Sequence, residues 1–289
     1  MSRSFSPAQA SDVVRAAVGD LGVRRARLQW LVTEPVRLAP PAANVLRGGL
    51  GAALHEAGAA EAFQLAWERS GPPALWFQGW HGSVLAAGQH LETNLVLLDR
   101  CADQWPSLLA ALGSLALGGG RVRLQRICWD TGGAGLDWPA ASPLPLPVFD
   151  GQGAVVVEAC TPLQLSAGGR RVTQAPPLAV LTRSAGERLR QLHGRWTERD
   201  RDIPGAVGAL VRSSDAAAIE LVPAQVVRVA RTSGATLQTQ PITGVMGAWR
   251  YAHCGAAVVL LGVAERIGVG KGTAFGCGTV RLGGVEWTY

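Results

Sequence analysis

The run RIGVGKGTAFGCGTVRL at residues 266–282 holds five glycines, Gly268, Gly270, Gly272, Gly276 and Gly278, around Lys271, the only lysine of the chain. An apolar, helix-compatible stretch (255–266) precedes it and an alternating, strand-compatible one (279–287) follows. Glycine carries no Cβ, so such a connection lets the backbone come close to an anion and cradle it. Two nucleotide-binding motifs share this glycine density, and both fail here. A phosphate-binding P-loop requires glycine at 265 and Ser or Thr at 272, where the chain has Glu265 and Gly272. A dinucleotide fingerprint requires glycine at 273 or 281, where Thr273 and Arg281 stand. Both motifs also follow a strand and open a helix, whereas this loop leaves a helix and enters a strand. Read without further context, the alternative is a plain helix-to-strand connection.

A shorter version of the same succession, LALGGGRVRL, lies at 115–124. Outward from these two points the chain reads as two copies of one element order. In the first half, residues 24–38 alternate as a strand, 43–57 put Leu46, Leu50 and Leu54 on a helical stripe with Asn44 as N-cap, 74–80 and 92–98 are strands, 105–117 is helical and 121–129 alternates again. In the second, 154–159 is a strand, 185–211 an arginine-rich helical region interrupted at 202–204, 219–230 and 244–251 are strands, and the helix, glycine loop and closing strand complete the set. The fold class expected is α+β: two tandem ferredoxin-like (β-α-β-β-α-β, RRM-like) domains at 1–130 and 154–289, joined by a Pro- and Gly-rich linker at 131–153.

Composition narrows the function classes. With 289 residues, 48% hydrophobic and 17% charged, the chain is expected to be globular. It has no apolar run of the ~20 residues that a membrane span needs, and no signal-peptide pattern, so a cytoplasmic protein without membrane contact is expected. Five scattered cysteines with no C-x-x-C pair suggest neither a disulfide framework nor a zinc site, and no cofactor or metal is expected. The net charge is +6, and 26 of the 27 basic residues are arginine, whose planar fork matches phosphate oxygens. A polyanion is the natural partner.

The glycine loop, taken with three other stretches, closely resembles the C-terminal signature G-x-G-K-x-(S/T)-x-x-G-x-G of the CRISPR pre-crRNA-processing endoribonucleases of the RAMP superfamily. Residues 154–165 (AVVVEACTPLQL) resemble the opening strand and T-P-L turn of that family's C-terminal domain, 44–54 (NVLRGGLGAAL) its first helix, and 181–193 the helix after T-P-L. The resemblance implies tandem ferredoxin-like domains and metal-independent cleavage of CRISPR repeat RNA. In that reaction the ribose 2′-hydroxyl attacks the adjacent phosphate, and the enzyme keeps the product hairpin. It further implies crRNA as partner, with other subunits of a CRISPR effector complex as additional partners. The alternative within the superfamily is a non-catalytic subunit that binds crRNA in such a complex.

That chemistry needs a base, an acid and cations for the phosphorane. The family places His or Tyr on the first helix, where this chain has Gly51. Arg47 and His55 lie one helical turn to either side on the same face, and these are the catalytic candidates. RNA-binding candidates are Gly268, Gly270, Lys271, Gly272, Thr273, Gly276 and Gly278 of the loop, Arg24, Arg25 and Arg27 of the first strand, and Arg188, Arg190, Arg195 and Arg199 of the arginine-rich segment, where six arginines meet three acids.

Overall fold

A computed structural model describes the chain except for residues 1–4, 68–70, 131–133, 140–145, 149–153, 214–217, 233–238, 285 and 288–289. In chain order the first half runs α1 (Pro7–Leu21), β1 (Arg24–Glu34), β2 (Val36–Leu38), α2 (Ala42–Glu56), α3 (Ala60–Trp67), β3 (Leu75–Gln78), β4 (Ser83–Leu85), β5 (His90–Leu97), α4 (Trp105–Leu112), β6 (Ser114–Leu117) and β7 (Gly120–Trp129). The second half runs β8 (Pro147–Val148), β9 (Val155–Ala159), β10 (Ser166–Ala167), β11 (Arg170–Arg171), α5 (Leu178–Trp196), α6 (Ile203–Arg212), β12 (Ala218–Thr232), β13 (Thr239–Tyr251), α7 (Val258–Ile267), β14 (Val280–Gly283) and β15 (Glu286–Trp287).

Two antiparallel sheets carry the ferredoxin-like order twice. The first is β3-β5-β1-β7-β6 and the second β12-β13-β9-β14, so the strand that opens each repeat lies inside its sheet. The alternation read in β1 sends Ala26, Leu28, Trp30 and Val32 into the core, leaving Arg27 and Gln29 on the other face. The stripe read in α2 buries Leu46, Leu50 and Leu54, and α7 is apolar on nearly every side because it is covered on nearly every side.

Several elements differ from the sequence reading. Helices α1 and α3 were not expected. The helix expected over 105–117 ends at Leu112, and Ser114–Leu117 turns back as β6 to pair with β7. Helix α2 starts at Ala42 behind Pro41, so Asn44 sits inside the first turn and its side chain is free to accept from another residue. The closing strand splits, β14 pairing with β9 and β15 with β8. The expected linker at 131–153 lies largely outside the described residues, but within it Trp138 packs edge-on against Trp105 and Trp129.

Helix α1 does not lie on the first sheet. It packs against α5, α6 and α7 of the second half. Its Asp20, only 3% exposed, takes Arg199, Arg201 and His193, the last at 3.2 Å.

Candidate RNA-binding and cleavage site

The glycine loop folds on itself before it offers anything to a ligand. The amides of Val269, Lys271, Phe275, Gly276, Cys277 and Gly278 all donate to carbonyls within the chain, at 2.9–3.2 Å. Gly276 (φ +85°) is required twice over: its backbone is left-handed, and a Cβ there would stand 2.5 Å from the Ala43 Cβ and 2.6 Å from the Gly79 carbonyl. The loop is thereby pressed under the N-terminal end of α2 and the end of β3. The expectation of an open amide cradle is thereby narrowed to the partly exposed stretch Gly270–Gly272. Gly268, Thr273, Gly276 and Gly278 are buried, and of the loop candidates only Gly270, Lys271 and Gly272 reach the surface, with Lys271 the most exposed. The T-P-L turn braces the loop from below, where Thr161 Oγ1 accepts the Thr279 amide at 2.9 Å.

The loop's crest presents Phe275, and two guanidinium groups close on its ring: Arg231 of β12 at 3.5 Å and Arg47 of α2 at 5.4 Å from the ring centre. Arg47 also lies 4.8 Å from the Trp67 ring and donates to the Ala66 carbonyl at 3.2 Å. Arg231 donates to Asn44 Oδ1 at 3.4 Å, the bond that the shifted helix start makes possible. Among the described residues neither arginine takes a carboxylate. Burial, then the charge of Arg231, pushes the Arg47 pKa down to about 10. Cys277 beside them supplies no counter-charge, because burial pushes its thiol up to about 11 and keeps it neutral. Two like charges, one of them with its Nε buried and unpartnered, are thus held around one ring, with no carboxylate between them among the described residues.

The position expected to hold the family's His or Tyr is not an open gap. A Cβ on Gly51 would stand 2.6 Å from the Trp67 ring, which fills that space and stacks on Phe63 at 5.1 Å. His55 is exposed on the far side of this stack, 6.5 Å from Phe63. Arg47 and His55 share a helix face as expected, but two aromatic rings stand between them.

The arginine candidates divide by burial. Arg24 is 2% exposed and locked to Asp99 at 2.9 and 3.2 Å, because it lies on the core side of β1. Arg188 is 6% exposed and lies over Trp76 at 5.0 Å, and burial lowers its pKa to about 10. Neither faces solvent, which corrects their reading as RNA contacts. Arg25 is half-buried against Asp130 and Gln78. Arg190 is paired with Glu187, Arg195 stacks on Trp196 and Arg199 bonds to Asp20. Arg27 is exposed, and β7 sets Arg126 and Arg123 farther along the same face of the first sheet, opposite Gln29 and Leu31.

The sequence reading missed Arg231, Phe275 and Trp67. Arg231 lies 187 positions from Asn44 and 44 from Phe275, so no local pattern joins them. Among the described residues no group of three His, Cys, Asp or Glu is placed to hold a metal ion, and no helix is long and apolar enough to cross a membrane.

Comparison with known proteins bears on the fold. The family model described as CRISPR-associated endoribonuclease Cas6 matches residues 157–280, from β9 through the glycine loop into β14. No curated protein matches the chain significantly. Among solved structures, a Thermus thermophilus Cas6 in its product complex is 19% identical, with a TM-score of 0.61 over 90% of this chain and 99% of that one. A second structure of the same protein gives 16% and 0.57 over 90% and 98%. A RAMP protein described as binding different RNA substrates gives 14% and 0.50 over 90% and 99%. With the family's model on its second half and the family's fold along most of its length, the chain is Cas6-like, as the glycine-rich loop implied.

Proposed function

We propose that the chain is an endoribonuclease that cleaves CRISPR repeat RNA, with Arg47 and Arg231 gripping the scissile phosphate above Phe275. The observation that supports this reading is the pair of guanidinium groups that no carboxylate among the described residues neutralises. Burying like charges around one ring is unfavourable in the empty site, and a phosphate between them relieves both the repulsion and the desolvation. The same relief grows as charge builds on the phosphorane, so the pair favours the transition state over the ground state.

The reaction is attack of the ribose 2′-oxygen on the adjacent phosphorus, which breaks the bond to the 5′-oxygen and leaves a 2′,3′-cyclic phosphate. The 2′-hydroxyl proton leaves to water. The leaving 5′-oxygen takes its proton from water, and Arg47 with Arg231 holds the negative charge that builds on the phosphorane. His55 is separated from this centre by Trp67 and Phe63, so catalysis rests on arginine. The open sheet face with Arg27, Arg123 and Arg126 and the exposed Lys271 offer the flanking RNA a basic path. Gly270 and Gly272, partly exposed beside Lys271, allow its backbone to come close.

A second reading is favoured by Gly51: with Trp67 in the place of the family's histidine, the chain is a non-catalytic RAMP subunit that grips crRNA within an effector complex. Incubation with the cognate repeat in excess chelator separates the two. Cut RNA with a cyclic phosphate end establishes the nuclease and its independence of metal, and RNA bound but intact establishes the subunit.

A further inference from the structure

Strand β12 (Ala218–Thr232) is the outer strand of its sheet: β13 pairs with one edge and, among the described residues, no strand pairs with the other. Among the described residues, that strand carries four of the six large hydrophobic side chains that are at least half exposed, Ile219, Leu221, Val222 and Val226, each at 50–53%. A long apolar edge is a template for another strand, and folded proteins ordinarily blunt such edges with charge. Of the charges on this strand, Arg231 turns to Phe275, and Glu220 and Arg228, of opposite sign, stand either side of Ala224. Among the described residues neither enters an ion pair within the chain.

The order of residues gives those two charges a partner. Residues 218–230 read AIELVPAQVVRVA, which is nearly self-complementary about Ala224. Antiparallel pairing with a second copy, with the two-fold axis at Ala224, sets Glu220 opposite Arg228, Val222 opposite Val226, Ile219 opposite Val229 and Ala218 opposite Ala230. Symmetry makes each of these pairs twice. The register of β12 against β13 shifts between Glu220 and Val222 and again between Val222 and Gln225, around Pro223. The middle of the strand is therefore irregular, and pairing falls to two arms, 218–222 of one copy against 226–230 of the other. In that arrangement the proline's missing N–H falls outside the arms.

We propose that the open edge of β12 is a homodimer interface, in which a second copy of this chain adds its own β12 in antiparallel register and each Glu220 meets the other copy's Arg228. The partner is another copy rather than an unrelated strand because the apolar and charged positions complement their own reversal.

Sedimentation velocity of the full chain without RNA, over a concentration series reaching tens of micromolar, tests this. The wild-type protein dimerises. Glu220→Arg and Arg228→Glu each place like charges opposite one another at two symmetric points and weaken self-association at least ~10-fold. Mixing the two variants restores the dimer as a heterodimer. The first variant presents a positive charge at both positions and the second a negative charge at both, so every cross-strand pair between them is again of opposite sign. A wild-type protein that stays monomeric throughout overturns the proposal. So does a dimer indifferent to the single reversals, and so does a mixture that fails to reassociate.

Discussion

Two arginines on one phenyl ring are the feature on which the chemistry turns. An isolated guanidinium gains little from stacking on an aromatic ring in water, but a half-buried one held beside a like charge gains most from the extra negative charge that builds on the phosphorane. Arg47→Ala and Arg231→Ala should therefore each slow single-turnover cleavage of the repeat by ~100-fold or more while affinity changes by only a few fold, as loss of a charge-stabilising donor does. His55→Ala should change the rate by less than about 3-fold, since a group beyond hydrogen-bond reach contributes no proton transfer. Quenched time courses on end-labelled RNA measure both. A His55→Ala protein as slow as Arg47→Ala returns the base to His55 and requires the Phe63–Trp67 stack to open. Two glycines are fixed by contacts of the same residue scale. Gly51→Ala pushes a methyl into Trp67 and should lower stability by about 1–3 kcal/mol in a urea melt. Gly276→Val should cost more, because it adds a left-handed backbone penalty to the clash with Ala43 and Gly79.

At the scale of elements, α1 ties the start of the chain to the helices of the second half through one carboxylate. Asp20 is nearly enclosed, and the hydrogen bond from Arg201, then those from His193 and Arg199, hold its pKa far below the usual carboxylate range despite a burial cost in the other direction. A carboxyl whose pKa is depressed in the folded state stabilises the fold above its unfolded pKa of ~3.9 and loses that contribution as pH falls through the folded value. Thermal melts should thus drop steeply below about pH 4 in the wild type, with a shallower decline in Asp20→Asn. At neutral pH Asp20→Asn should cost about 1–2 kcal/mol, because it strips the charge from an enclosed carboxylate whose Arg199 and Arg201 partners keep contact with water. An Asp20→Asn protein with the wild-type melting profile across pH would show that α1 is held by its apolar face alone, through Ala10, Val14, Ala17, Val18 and Leu21.

For the whole molecule, the arginine excess acts as a field as well as a set of contacts. Binding of the repeat should weaken linearly in log–log terms with added salt, with a slope of about −0.7 for each single-strand phosphate neutralised. Arg27→Ala combined with Arg123→Ala should flatten that slope by one to two phosphates' worth while leaving the cleavage rate of bound RNA unchanged, because those residues stand on the open sheet away from Phe275. Filter binding across a salt series measures the slope. An unaltered slope removes the first sheet's open face from the RNA path. A repeat carrying a 2′-deoxy sugar just before the cut should bind with the same slope and remain intact, since it retains its phosphates and lacks the nucleophile.

Periodicity along the chain was enough to place β1, β5, β7, β9 and β13, the stripe of α2 and the glycine loop between α7 and β14, because each depends on residues a few positions apart. The same local order, repeated, carried the tandem ferredoxin-like fold. Arg47 drew attention through the family resemblance, which points to Gly51, one helical turn away on the same face. What the sequence did not contain was the set of distances between remote segments. Only the folded chain shows that Trp67 fills the space beside Gly51, that Arg231 arrives beside Phe275, that most of the loop's amides are spent on carbonyls of the loop and of the T-P-L segment, and that Arg24 and Arg188 turn inward. A short-range pattern determines which way a side chain points from its own element. Whether that side meets solvent, a ring or another charge is set by which element packs against it, and that is a property of the tertiary structure alone.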